Sequence, residues 1–304
     1  VTVEEARGYV TDYYLSETHS DEDKFSFVEA LHFLIEERND PNDMHNLAWF
    51  YAEERAFDLQ LKYLEMAAEQ EFFPACEGLG YYWYYGHGGT VDYEKAFHYF
   101  SKGAGSKDDY LRIGCECKLA DMYHYGYYVG KDEARYKGII ERLFLEMSHP
   151  EDLRTVVDME FICEPSLDVR VAEIRLEQGR HAEAVKLLRR ARAIFAEYLR
   201  SNPSWWGNIE EIENVVMRLH ENSIDWEDGI DLYDLFWLAR EGLSISFCYQ
   251  KCRFKVECLE DEGGIAIRFN NRWYRDTRDF FEKAKIGGRP LTALYNDLNR
   301  YRIA

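Results

Sequence analysis

Few residues of this 304-residue chain have the types and spacing that catalysis needs. It contains no Gly-x-Ser-x-Gly elbow, no Gly-x4-Gly-Lys-Ser/Thr loop, no His-Glu-x-x-His helix and no Gly-x-Gly-x-x-Gly turn. His87-Gly88-Gly89 has the composition of an oxyanion loop, but no nucleophile elbow accompanies it, so its glycines read as a hairpin turn. Cys115-x-Cys117 and Cys248-x3-Cys252 have the form of metal half-sites, with His124 downstream. Two residues apart on a helix project about 200° apart, so Cys115 and Cys117 do not converge on one ion. They read instead as buried thiols. Asp225-Trp-Glu-Asp228-Gly229 lacks the alternating ligands and closing Glu of a calcium loop, and Glu210, Glu211 and Glu213 read as a solvated helix face. The expectation is a protein without catalytic residues, cofactor or metal.

The other chemistry on offer is aromatic. The chain has 23 Tyr, 18 Phe and 7 Trp. Many fall in a recurring frame. Residues 75–104 place Ala75, Leu79 and Trp83 four apart on one helical face. Gly86 and Gly88 then suit a helix end with positive φ. Asp92 can cap a second helix carrying Ala96, Tyr99 and Ala104. Upstream stand Leu47-Ala48, Tyr51, Tyr63 and Ala67-Ala68; downstream stand Leu119-Ala120, Tyr123, Gly126, Asp132 and Tyr136. Tyr63 to Tyr99 is 36 residues, Leu47 to Leu79 is 32 and Leu79 to Leu119 is 40. The upstream loop is therefore about four residues shorter, and the downstream unit has an insertion near Ser106–Asp109.

The pattern Ala-x3-Leu-Gly-x2-aromatic-x2-Gly-x-Gly, followed by Asp-Tyr-x-Lys-Ala, resembles the Sel1-like repeat, a relative of the tetratricopeptide repeat. Trp83 stands where that family usually has Tyr, and Gly103 where it prefers Ala. The resemblance covers about residues 45–145. It implies stacked helical hairpins and an adaptor role, without chemistry of its own, on the concave face of a solenoid. In each first helix the positions two, three and six after Leu should face that surface. They hold Trp49, Phe50 and Glu53; Tyr81, Tyr82 and Tyr85; and Asp121, Met122 and Tyr125. Trp49, Phe50, Tyr81, Tyr82, Tyr85, Met122 and Tyr125 are therefore the candidate partner-binding residues. Aromatics with few charges suit an interface core, and neighbouring helices, the N-terminal pair included, are the alternative cover.

The expected fold is mainly α: a helical-hairpin solenoid followed by a small α+β module. Residues 1–44 read as a helical cap with Phe25, Val28, Leu31 and Ile35 as its stripe. Residues 45–145 hold the repeats. Residues 146–244 hold further hairpins, one of tetratricopeptide type turning at Gly179. Residues 245–304 form the module. There, residues 251–258 alternate, with Lys251, Arg253 and Lys255 on one face and Cys252, Phe254, Val256 and Cys258 on the other. Ile265–Phe269 and Trp273-Tyr274 add two strands around a turn at Asn270-Asn271. A helix to about Ile286, stopped by Gly287-Gly288, and another opened by Pro290 complete a three-stranded sheet with two helices.

Charge divides the same way. The chain has 37 Lys+Arg and 57 Asp+Glu, a net of −20. Residues 246–304 carry 12 basic and 8 acidic side chains, and the remainder is correspondingly acidic. This argues against nucleic acid or anionic lipid as a partner for the whole chain and favours a basic protein or peptide. Only the C-terminal module, with a basic strand face of Lys251, Arg253, Lys255, Arg268 and Arg272, could meet phosphate. An acidic stoichiometric inhibitor of a basic toxin or nuclease, or a regulator using the module, is the alternative to an adaptor. Seven irregularly spaced cysteines suggest reduced thiols and a cytoplasmic setting. The residues from Val1 have neither the basic nor the apolar region of a secretory signal, and no apolar run is long enough to span a membrane.

Overall fold

The structure is a computed structural model that describes residues 1–16, 19–146, 165–203, 205–222, 229–261 and 264–303. It divides into two compact units, Val1–Ile139 and Ile140–Ala304. The Asp225–Asp228 stretch, Pro150 and Cys163 lie outside the described residues.

The first unit opens with α1 (Val3–Leu15) and α2 (Asp21–Arg38), each started by a capping box. At α1 the Glu5 N–H donates to Thr2 Oγ1 at 3.2 Å, and Thr2 N–H donates to the Glu5 carboxylate at 2.7 Å. The face of α2 that enters the core is Phe27, Ala30, Leu31, Leu34 and Ile35. The expected stripe is thus rotated: Leu31 and Ile35 belong to it, while Phe25 is 67% exposed. Phe27 replaces it because its ring stacks on Tyr13 of α1, with centroids 4.0 Å apart.

Then come the hairpins: α3 (Pro41–Glu53) with α4 (Phe57–Ala68), α5 (Phe73–Tyr85) with α6 (Tyr93–Gly103), and α7 (Asp109–Tyr125) with α8 (Glu133–Glu146). In the second unit, α9 (Pro165–Glu177) and α10 (His181–Ser201) make a fourth, with Gly179 at φ +73° in its turn. One hydrogen bond clips all four. Ala56 N–H donates to Tyr51 O, Asp92 to Trp83 O, Asp132 to Tyr123 O and Arg180 to Arg175 O, at 2.8–3.0 Å. Counted from each donor, positions four and eight later are buried throughout: Gln60 and Leu64, Ala96 and Phe100, Tyr136 and Ile140, Ala184 and Leu188. The donor follows its acceptor by five residues in the first and fourth hairpins and by nine in the middle two. This is the four-residue loop difference seen in the sequence. The insertion near Ser106–Asp109 becomes an extra first turn of α7, capped by Asp108.

The longer loops need glycine. Gly86 and Gly126 end their helices at φ +66° and +76°. A Cβ on Gly86 would lie 2.8 Å from Val91 Cγ2. Gly86→Ala should therefore cost the first unit at least the left-handed penalty of about 1–2 kcal/mol. Gly8→Ala, in open space within α1, should instead gain about 0.5–1 kcal/mol. Denaturant midpoints of the two variants test both signs. Past each long loop a cation lies over the aromatic of the first helix. Lys95 Nζ is 3.8 Å from the Trp83 ring centre, and the Arg135 guanidinium is 4.1 Å from that of Tyr123.

In the second unit, α11 (Trp206–Asn222), a 3-10 turn at Leu232–Asp234 and α12 (Leu235–Arg240) precede the sheet. The strands are β1 (Ile245–Tyr249), β2 (Cys252–Asp261), β3 (Gly264–Phe269), β4 (Arg272–Tyr274) and, after α13 (Thr277–Lys283) and a two-stranded β5 (Lys285–Ile286)/β6 (Arg289–Pro290) hairpin, β7 (Asn299–Ile303). The main sheet has five antiparallel strands in the order β4-β3-β2-β1-β7, not three. β1 is buried on both faces and so shows no alternation. α13 stops at Lys283, and Gly287-Gly288 forms the β5–β6 turn rather than a helix end. The segment after Pro290 is a 3-10 turn at Thr292–Asp297, not an α-helix. Phe247, Phe254 and Phe269 lie side by side across the sheet, and Phe280 of α13 meets Phe269 edge-on at 5.6 Å. Cys258 is buried, whereas Cys252, expected beside it, is exposed at the strand end.

A polar cluster joins α10 and α11 to the two 3-10 turns of this unit. Arg192 of α10 donates to Asp231 Oδ1 at 2.6 Å and lies 3.2 Å from Asp234 Oδ1. Tyr295 donates to Asp231 Oδ2 at 2.6 Å, and His220 Nε2 lies 2.9 Å from Asp234 Oδ1. Burial pushes the Asp231 carboxyl up. Burial also opposes the Asp234 charge, but His220 and Arg192 outweigh it and hold that carboxyl below its usual range.

Candidate functional site

The aromatic residues of the first helices separate by depth. Tyr82 and Met122 are core residues and leave the candidate surface. The third position after Leu faces inward, because Tyr82 supports the loop: a Cβ on Gly88 would come within 2.2 Å of its hydroxyl oxygen. Phe50 is half-buried against Tyr13 and Phe27, so the N-terminal helices cover it. The residues that reach solvent are Trp49 (44% exposed), Tyr85 (41%) and Tyr125 (53%), with Tyr81 half-buried between them in sequence.

Each is held. Trp49 Nε1 donates to His45 Nε2 at 3.1 Å. Burial lowers the His45 pKa to about 4, so the ring is neutral and free to accept. Tyr81 and Tyr85, one turn apart on α5, lie parallel with centroids 6.1 Å apart. Phe100 meets Tyr81 edge-on from below at 5.3 Å. Tyr125 stacks on Tyr127 at 5.3 Å, which stacks on Tyr93 at 4.2 Å.

One residue here was missed in the sequence. Lys118 of α7 donates its ammonium to Tyr85 Oη at 2.8 Å. The same nitrogen lies 5.1–5.6 Å from the ring centres of Tyr81, Tyr84 and Tyr85, and 3.8 Å from Asp121 Oδ2. Three tyrosine rings and a carboxylate thus surround a nearly buried ammonium, which ties Tyr85 to the next helix. The signal was a lysine set between Cys117 and Leu119-Ala120, on an otherwise apolar stretch.

The other sequence motifs resolve into packing. The His87 ring stacks on Phe57 at 5.2 Å and on Tyr85 at 6.2 Å, and burial lowers its pKa to about 4. Cys115 lies under Gly103, where a Cβ would come within 2.4 Å of its sulfur, and burial pushes its thiol well up. Glu213 and Glu210 both pair with Arg278 of α13. A groove of about 510 Å³ is lined by residues such as Glu65, Trp83, Lys95, Tyr99 and Tyr128. None of Trp49, Tyr81, Tyr85 and Tyr125 borders it. Among the described residues, no three of His, Cys, Asp and Glu gather as metal ligands do, and no helix is long and apolar enough to cross a membrane.

The basic residues of the tail also separate. Arg253, Lys255 and Arg268 share the outer sheet face, by strand alternation and pairing. Lys251 sits instead in the Gln250-Lys251 turn at φ +67°, and Arg272 pairs with Phe269, on the register of the inner face. Arg302 of β7, unforeseen because its strand was, joins the outer face opposite Ser246.

The hairpin clip, the glycine helix ends and the Asp caps of the middle repeats define a helical-repeat protein with an appended α+β module. No protein-family profile and no curated protein matches the sequence. Among solved structures, a Sel1 repeat protein from Oxalobacter formigenes is similar, at 17% identity over 73% of this chain and 85% of that one, with a TM-score of 0.44. A protective antigen of uropathogenic Escherichia coli strains, displaying an SLR fold, is similar at 15% identity over 73% of this chain, with a TM-score of 0.26. This chain spans 65% of the antigen's length.

Proposed function

We propose that the chain is a non-enzymatic protein-interaction scaffold, whose first unit holds a protein or peptide partner on Trp49, Tyr81, Tyr85 and Tyr125. The observation that carries this reading is that each of three successive first helices brings an aromatic to solvent, Trp49 at the second position after its Leu and Tyr85 and Tyr125 at the sixth. Rigid, pre-ordered aromatic side chains are the residues that dominate interface energies. The partner is basic: residues 1–139 hold 13 Lys and Arg against 27 Asp and Glu, a field that steers cations toward the surface. The sparse, irregular cysteines support a cytoplasmic setting.

The test is capture from source lysate by the full chain and by Trp49→Ala/Tyr85→Ala/Tyr125→Ala, after equal helicity has been shown. One partner held by the parent should be lost by the variant, since each hot-spot truncation costs about 2 kcal/mol or more, or roughly 30-fold. Retention of that partner by the folded variant overturns the assignment. The acidic field also favours a stoichiometric inhibitor of a basic toxin or nuclease, and the identity of the captured protein decides between the two.

A further inference from the structure

The outer face of the five-stranded sheet has a feature the scaffold reading leaves unused. β1 contributes only small side chains there, Ser246 and Cys248, between the long ones of β2 and β7. Lys255 stands opposite Ser246 on one side and Arg302 on the other; Arg253 stands opposite Cys248. With strands about 4.8 Å apart, these exposed cations flank β1 on both sides and stand above its small, buried side chains. The face carries one carboxylate among its described side chains, Glu257, which holds Arg268 at 2.6 Å and Lys255 at 3.7 Å. Arg253 and Arg302 have no carboxylate partner among the described residues. At the edge of the same face, paired with Arg268, Trp273 is 60% exposed, and the Arg268 guanidinium lies 5.7 Å from its ring centre.

We propose that this face binds a short single-stranded nucleic acid, with phosphates on Arg253, Lys255 and Arg302 and a base stacked on Trp273. Unpaired guanidinium groups suit phosphate, and an open tryptophan suits any base because every base has a π face. An acidic peptide would match the cations equally but not the ring, whose electron-rich face repels carboxylate. The acidity of the rest of the chain does not forbid this. At physiological salt the Debye length is about 8 Å, so repulsion from more distant carboxylates is largely screened. It does set the expected behaviour, which is modest affinity and steep salt dependence.

The test is fluorescence anisotropy of labelled oligothymidylate and oligouridylate with the full-length protein. Binding at low salt should weaken with a log–log salt slope of about −2, as three neutralised phosphates on a single strand require. Trp273→Ala should lower affinity about 5- to 150-fold. Arg253→Gln/Lys255→Gln/Arg302→Gln, whose side chains are solvated and whose fold is checked by circular dichroism, should abolish it. Absence of binding at low salt overturns the proposal. So does binding indifferent to both variants, or equally tight, Trp273-independent binding of a polyglutamate peptide of the same charge. The scaffold surface lies in the other unit, so Trp273→Ala should leave partner capture intact.

Discussion

Asp168→Ala should be among the most damaging single changes in the second unit. Asp168 of α9 is fully buried and accepts two hydrogen bonds from Arg190 of α10, at 2.6 and 2.7 Å. Removing the carboxylate takes from the buried Arg190 guanidinium the charge that accepts two of its hydrogen bonds inside the fourth hairpin, a loss of about 3–5 kcal/mol. Asp168→Leu/Arg190→Met, which replaces the pair with apolar groups of similar volume, should recover most of that loss. Denaturant midpoints of the second unit's transition, followed by hydrogen exchange in α9 and α10, read both effects. Equal stability of Asp168→Ala and the parent would mean that the pair contributes nothing.

Phe100→Ala should be comparably costly in the first unit, at about 3–5 kcal/mol. Phe100 is wholly buried at the position eight residues past the hairpin clip. Its ring fills the space that the absent side chain of Gly80 leaves, since a Cβ there would sit 2.5 Å from the ring. It also supports Tyr81 and Tyr84, whose faces hold the Lys118 ammonium. A second readout should therefore move with stability: partner affinity should fall even under conditions where the variant remains folded. Phe100→Leu should lie between the two. A variant that loses stability but binds its partner as tightly as the parent would separate the core from the surface above it.

The hairpins were legible because their determinants are local. A glycine at a left-handed helix end and an Asp cap occupy fixed offsets within the two middle hairpins, and the pair of buried residues four apart recurs in all four. The loop-length difference between the first and second repeats could be counted directly. Depth on the first helices was not legible, because it depends on what lies opposite. Tyr82 and Tyr85 are alike in sequence, yet one supports a glycine loop and the other meets solvent. Phe25 lost its place to Phe27 through a stacking partner on another helix. In the module, β1 lacks alternation because both its faces are covered. β7 has a bulge opposite Ser246 and Cys248, with Arg300 at φ +54°, which breaks the period on which recognition of a strand depends. The Arg192 cluster draws on four separate segments, and no spacing rule connects them.

The pairing of β7 with β1 fixes an order of events during synthesis. Each helical hairpin closes over a few tens of residues and can form as it leaves the ribosome. The sheet cannot. Its second strand in space on one side, β1, must wait through five intervening strands and α13 for Ile303 to reach Ile245. Until then β1, the most apolar strand of the module, presents an open edge. A nascent or truncated chain ending before Asn299 would carry that edge exposed, and with it the hazard of pairing with a neighbour.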